Sequence, residues 1–257
     1  MLARAVTRYR QWRLRRHAIP PALWREALRY SAYAGALPRT ETDKLRELAT
    51  LFLLEKRFDG AADFVPDETA RVVIALKACI PILKLGLDYY RGWNGIVVYP
   101  ADFRVQEEYM DEAGVVHRAA RDLCGESLTQ GPLVLSWGTI VEEREAYDRD
   151  LVIHECAHKL DMLNGPADGF PPLPGTLSAR WTAAFTEAYA DLGHELDAGR
   201  ETRLDPYAGT DPAEFFAVAT ETFFTAPSLL HEDYPAVYDA LRDLYRQDPL
   251  PLLPPTP

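Results

Sequence analysis

Basic charge is in short supply in this chain of 257 residues: 28 Lys and Arg stand against 39 Asp and Glu, a formal net charge of −11. Such a surface repels a phosphate backbone, which argues against direct nucleic-acid binding. Cysteine is scarce too. Cys79, Cys124 and Cys156 are an odd three, build no disulfide framework, and fit a reducing compartment. A long apolar run is missing as well. The most apolar stretch, Val72 to Leu87, is interrupted by Lys77, Pro81, Lys84 and Gly86. It is too short to span a bilayer and reads as a buried core helix. No internal repeat is seen, and no secretory signal is expected. The first 16 residues carry Arg4, Arg8, Arg10, Arg13, Arg15 and Arg16 and no acid, but no apolar segment follows. Residues 1–35 therefore read as a basic, solvated helical extension, with a local patch for an acidic partner or lipid head groups as the alternative. The expectation is a soluble, cytoplasmic protein without a membrane span.

What is present is enough apolar material for a core: 47% hydrophobic and 11% aromatic residues, which excludes general disorder. Helices are expected over about 20–33, 40–57 (from a Thr-x-x-Asp start) and 68–90. Gly95–Tyr99 reads as a strand stopped by Pro100, residues 115–119 as a weak strand, and Leu133–Trp137 as a better one. Helices follow over about 148–163, 176–198, 211–225 and 232–246. The Pro- and Gly-rich loop 164–176 is a candidate lid. Asp211-Pro212-Ala213-Glu214 supplies an N-cap, a proline at the first helical position and an early acid. The predicted class is α+β, mostly helical with a small mixed sheet. One domain is expected over 1–250, with an extended Pro-rich tail at 251–257.

The chemistry is concentrated at His154-Glu155-Cys156-Ala157-His158. Two histidines four apart lie about 40° from each other around a helix, one turn along it, so both imidazoles can meet one metal ion. Glu155 lies about 100° round and is poorly placed as a ligand, but well placed to reach a metal-bound water. That is the logic of a zinc hydrolase. Val152, Ile153, Ala157 and Leu160 mark the helix as buried, where two histidines and a glutamate are costly without a metal or other partners. A third protein ligand is required. Three residues after His158 stands Asp161, not glycine, and no third histidine follows closely, so the compact three-histidine pattern is absent. Glu187, Glu195, Glu201, Glu214, Glu221 and Glu232 are the acidic alternatives. Glu214 is the best placed, because it opens an apolar helix in which a carboxylate needs a cation. Glu221, two turns on, suits a partner for a ligand histidine's other nitrogen, or a plain exposed acid. Asp161 reads either as such a partner or as a surface acid. Cys156 reads as a small buried residue, and His117 as a strand residue without a role.

The segments HECAHKLDMLNG, DPYAGTDPAEFFAVATETFFTAP, GWNGIVVYPADF, QGPLVLSW and YRQDPL resemble the Mlc titration factor A family of zinc metallopeptidases. That family's core is similar to the catalytic domain of anthrax lethal factor. The resemblance implies a zincin-like fold around an HExxH active-site helix. It also implies one Zn2+ per chain on His154, His158 and Glu214, with Glu155 as the catalytic base. Tyr207 is implied to face the site, where its phenol would donate to a developing oxyanion. Leu133–Trp137 is implied to be the edge strand that pairs with an extended substrate. Two functions follow as expectations. One is an aminopeptidase-like zinc peptidase acting on peptide or protein substrates. The other is a regulatory protein that sequesters a transcriptional repressor of sugar uptake. A metal-binding relic without turnover fits less well, since a structural zinc site fills all four positions and has no use for Glu155.

Overall fold

The computed structural model describes residues 13, 14, 16–101, 103–110, 116–123, 125–127, 131–146 and 149–255. Most of the basic N-terminal stretch, Cys124 and the last two residues lie outside these, and the side chains of 102–130, His117 included, are not described. Residues 13, 14, 16 and 17 are helical, and after them come α1 (Pro21–Ala27), a 3-10 turn (Leu28–Tyr30), α2 (Ala32–Ala36) and α3 (Arg39–Glu55). The single helix expected over 20–33 is thus broken. Ser31 takes an extended backbone and its side chain accepts from Ala34 N, capping a new helix. The expected Thr-x-x-Asp cap is replaced by Pro38 at the N-cap of α3, while Thr42 Oγ1 donates back to Leu37 O and Pro38 O.

A short strand, β1 (Arg57–Gly60), occupies residues expected to be helix end and loop, and α4 (Glu68–Cys79) follows. The expected helix over 68–90 stops there, because Pro81 has no N–H to continue the ladder. Only a 3-10 turn at Leu87–Tyr90 remains. Then come β2 (Gly95–Tyr99), the hairpin β3 (Phe103–Met110) and β4 (Val116–Leu123), β5 (Gly125–Ser127) and β6 (Leu133–Ser136). The larger sheet has the order β1-β2-β6-β5, with β1, β2 and β6 parallel and β5 antiparallel to β6. Leu133–Trp137 is therefore not an edge strand. Both hydrogen-bonding sides of β6 are used, Leu133 facing Ile96 on one side and Ser127 on the other. Among the described residues, β1 and β5 hold the two edges, β5 the one beside β6. The strand also ends one residue early, since Ser136 accepts from Thr139 N and starts helix α5 (Trp137–Ala146).

The second half is helical: α6 (Leu151–Asp161), α7 (Gly175–Asp197), a 3-10 turn (Pro206–Gly209), α8 (Pro212–Thr225), α9 (Pro227–Asp233) and α10 (Pro235–Tyr245). The helix expected over 232–246 is found as α10, opening at Pro235, whereas α9, with Pro227 in its first turn, was not expected. The tail is not extended: Leu252 N and Leu253 N donate to Pro249 O, and Leu250, Leu252 and Leu253 pack against the core. Gln247 ties this end in, donating to Ile80 O at 2.8 Å and accepting from Tyr33 Oη at 3.1 Å. The architecture is α+β, mostly helical with a small mixed sheet. Helix α6 packs chiefly against α8, and also touches α4, β5 and β6. Every residue of α6 except His154 is buried, the polar Glu155, His158, Lys159 and Asp161 included. Among the described residues, no helix is long and apolar enough to cross a membrane.

Candidate metal centre

Two helix starts aim the site. Asp150 caps α6, its Oδ1 accepting from Ile153 N at 3.1 Å, which places His154 and His158 one turn apart on the face toward α8. Asp211 caps α8, its Oδ1 accepting from Ala213 N at 2.8 Å and Glu214 N at 2.9 Å. Glu214 therefore leaves the first turn of α8 pointing across the helix pair. Its Oε2 lies 3.1 Å from His154 Nε2 and 3.3 Å from His158 Nε2. One donor atom from each of the three lies within 4.8 Å of the others. Two imidazole nitrogens and a carboxylate oxygen are a donor set that suits zinc. Glu221, two turns along α8, closes the rear: its Oε2 lies 3.2 Å from His154 Nδ1, and its Oε1 accepts from Asp150 N at 2.6 Å. It is the partner for a histidine's other nitrogen rather than an exposed acid.

The electrostatics demand a cation here. Burial disfavours a charged His154, but hydrogen bonds to Glu214 and Glu221 outweigh it and lift the imidazole to about 10. Burial lifts Glu214 as well, yet the two histidines hold it far below the usual carboxylate range. A proton or a metal ion meets that demand. Glu155 is buried, its carboxyl is pushed up by burial, and its Oε2 has no hydrogen-bond partner. A carboxyl held this way is suited to exchanging a proton rather than to structural bonding. Tyr207 lies at the mouth, half exposed, with its hydroxyl donating to Glu214 Oε1 at 3.2 Å.

The sequence candidates thus divide. His154, His158, Glu214 and Glu221 come together, with Glu155 beside them and Tyr207 at the rim. Glu187, Glu195, Glu201 and Glu232 stand elsewhere, Glu195 paired with Arg200 and Glu232 with Arg203. Cys156 is buried, and burial pushes its thiol up to about 12, which leaves it inert. Asp161 is buried, not a surface acid. Its Oδ2 accepts from Asp168 N at 2.9 Å and Gly169 N at 2.8 Å. The loop after α6 is tied down by those bonds and by Trp181 Nε1 donating to Gly169 O, which counts against a lid.

A second charged cluster escaped the sequence reading. Lys77 Nζ, almost fully buried, lies 3.2 Å from Asp150 Oδ2 and 3.6 Å from Glu143 Oε2. Glu143 Oε1 in turn accepts from Leu151 N at 2.9 Å. The N–H groups of Asp150, Leu151 and Ile153 at the start of α6 thus end on three carboxyl groups, two of which, Asp150 and Glu143, share one buried ammonium. Burial raises both Asp150 and Glu143, the latter to about 8, against the pull of Lys77. The available signal was the lone lysine within the otherwise apolar stretch Val72–Cys79.

Residues 5–246 match the model of a family described as glucose-regulated metallo-peptidase M90. Similar relatives carry the name Mlc titration factor A. The one from Escherichia fergusonii is 39% identical over 230 residues, covering 88% of this chain and 86% of the relative. That from Cronobacter sakazakii is 39% identical over 236 residues, covering 91% and 89%. That from Klebsiella pneumoniae strain 342 is 40% identical over 232 residues, covering 88% and 86%.

Proposed function

The chain belongs to the glucose-regulated metallo-peptidase M90 family, and from that premise we propose that it is a cytoplasmic, zincin-like, zinc-dependent peptidase with aminopeptidase-like activity. The observation that carries the reading is the convergence of His154 Nε2 and His158 Nε2 on one oxygen of Glu214, beside the buried, unpartnered Glu155 Oε2. His154, His158 and Glu214 would hold one Zn2+. When bound, zinc acidifies water and polarises a carbonyl. The residues do the rest. Glu155 takes the proton from the attacking water and passes it to the leaving amine. Tyr207 turns its hydroxyl from Glu214 to the carbonyl oxygen on which negative charge develops. Glu221 holds the ring of His154 in one orientation through Nδ1, so that Nε2 faces the site.

Zinc content and turnover of a peptide panel test this, for wild type and for Glu155→Gln and Glu214→Ala. One zinc per chain is expected in wild type and Glu155→Gln, with hydrolysis lost in the latter. Glu214→Ala should lose zinc. Turnover surviving in Glu155→Gln refutes the mechanism. Equal rates on free and N-acetylated peptides refute the aminopeptidase-like specificity while leaving the peptidase.

The name of the relatives favours a second reading, in which the chain binds a transcriptional repressor of the Mlc kind. The acidic surface suits a protein partner better than DNA. Binding that persists in Glu155→Gln would make the two roles separable.

A further inference from the structure

The two histidines are supported unequally. His154 Nδ1 has Glu221, whereas His158 Nδ1 is buried without a hydrogen-bond partner. Three residues on, Asp161 is fully buried, and its Oδ1 is likewise without a partner. Residues i and i+3 are neighbours on a helix surface. An orphan ring nitrogen and an orphan carboxylate oxygen thus lie buried on one face of α6. Leaving both unsatisfied is costly, and each is the kind of group the other lacks.

The other oxygen of Asp161 is already committed to Asp168 N and Gly169 N. Gly169 is a junction. Its φ of +78° is in the left-handed region, and a Cβ there would lie 2.4 Å from Pro212 O. Its backbone therefore presses on the first turn of α8, two residues before Glu214. Its carbonyl accepts from Trp181 Nε1 of α7 at 3.0 Å. Asp161 stands between the helix that carries the histidines and the turn that seats the helix carrying Glu214.

We propose that Asp161 is a positioning residue for the metal centre: a rotation of its side chain brings Oδ1 to the Nδ1–H of His158, a bond the structure itself does not make, while Oδ2 fixes Gly169 against the start of α8. One carboxylate then orients a histidine ring and sets how α8 approaches α6. The loop after α6 acts as a strut. This inference rests on the zinc reading above.

The test uses the full chain freed of metal. Zn2+ affinity is measured by competition with a chromogenic chelator, and the visible absorption of the Co2+-loaded protein reports ligand geometry. Wild type is compared with Asp161→Asn, Asp161→Ala and Gly169→Ala, with urea unfolding of each apo form alongside. Asp161→Asn keeps an oxygen for the two loop N–H groups but does not restore the carboxylate toward His158. Its affinity should fall about 10–100-fold, with a shifted Co2+ band. Gly169→Ala, which leaves the carboxylate intact, should also weaken zinc by driving a methyl against Pro212. Asp161→Asn or Gly169→Ala binding zinc as wild type does, with an unshifted Co2+ band, overturns the proposal, whatever the apo stability does. A wild type that binds no zinc overturns the metal centre itself, and this inference with it.

Discussion

Replacing Lys77 by methionine is the sharpest test of how the start of α6 is held. Lys77 is 1% exposed, and its ammonium lies 3.2 Å from Asp150 and 3.6 Å from Glu143. Methionine fills most of the volume, so the loss is mainly of charge. Removing one partner of a buried pair costs about 3–5 kcal/mol, because the remaining charge is left uncompensated. The orphan is chiefly Asp150, since burial already lifts Glu143 to about 8 and keeps it largely protonated at neutral pH. The pH dependence has a definite sign. Burial raises Asp150 above its unfolded value, and losing Lys77 raises it further. The folded variant then binds a proton the unfolded chain does not, so its stability falls as pH rises. The penalty should be largest at pH 8 and shrink toward pH 5.5, by up to about 1.4 kcal/mol per pH unit for one proton. Urea unfolding at both pH values, with unchanged m-values, reads this directly. A penalty below about 1 kcal/mol at pH 8, or one that does not vary with pH, refutes the reasoning. Glu143→Gln is the control. It replaces a largely neutral carboxyl by a neutral amide and should cost under about 1 kcal/mol at pH 7.

Three further outcomes are expected. Asp211→Ala removes the acceptor for Ala213 N and Glu214 N and should destabilise by about 1 kcal/mol in urea unfolding; no change would mean the cap is idle. Tyr207→Phe should lower kcat about 10²–10³-fold with zinc content unchanged, and an unaltered kcat would remove the phenol from the mechanism. Zinc binding near pH 7.5 should release about one proton, because His154 sits at about 10 and must yield its proton to the metal; a pH-indicator titration showing none would contradict that.

The cluster of donor groups was more legible than the frame around it. The spacing of His154 and His158 is a property of one helix and needs no tertiary information. Glu214 was reachable because Asp211 and Pro212 announce a helix start and the apolar run after it makes a carboxylate conspicuous. The Lys77 cluster was not, since its partners Asp150 and Glu143 lie more than sixty positions away. Strand β1 was hidden because four residues with a mixed burial pattern carry no period. The break at Ser31 turns on a single residue inside an otherwise helical stretch, where capping overrides the pattern. The edge position fell to β5 rather than β6 through pairing between segments, which composition does not encode.

The wiring of α6 bears on the order in which this protein is made. The helix is spelled out by residue 161, but His154 finds its carboxylates only at Glu214 and Glu221, and Lys77 has been waiting since α4. Gln247 then joins Ile80 to Tyr33 at the very end of the core. A ribosome-bound fragment ending before α8 holds two histidines and a buried glutamate with nothing to neutralise or orient them. The metal centre therefore belongs to the finished chain.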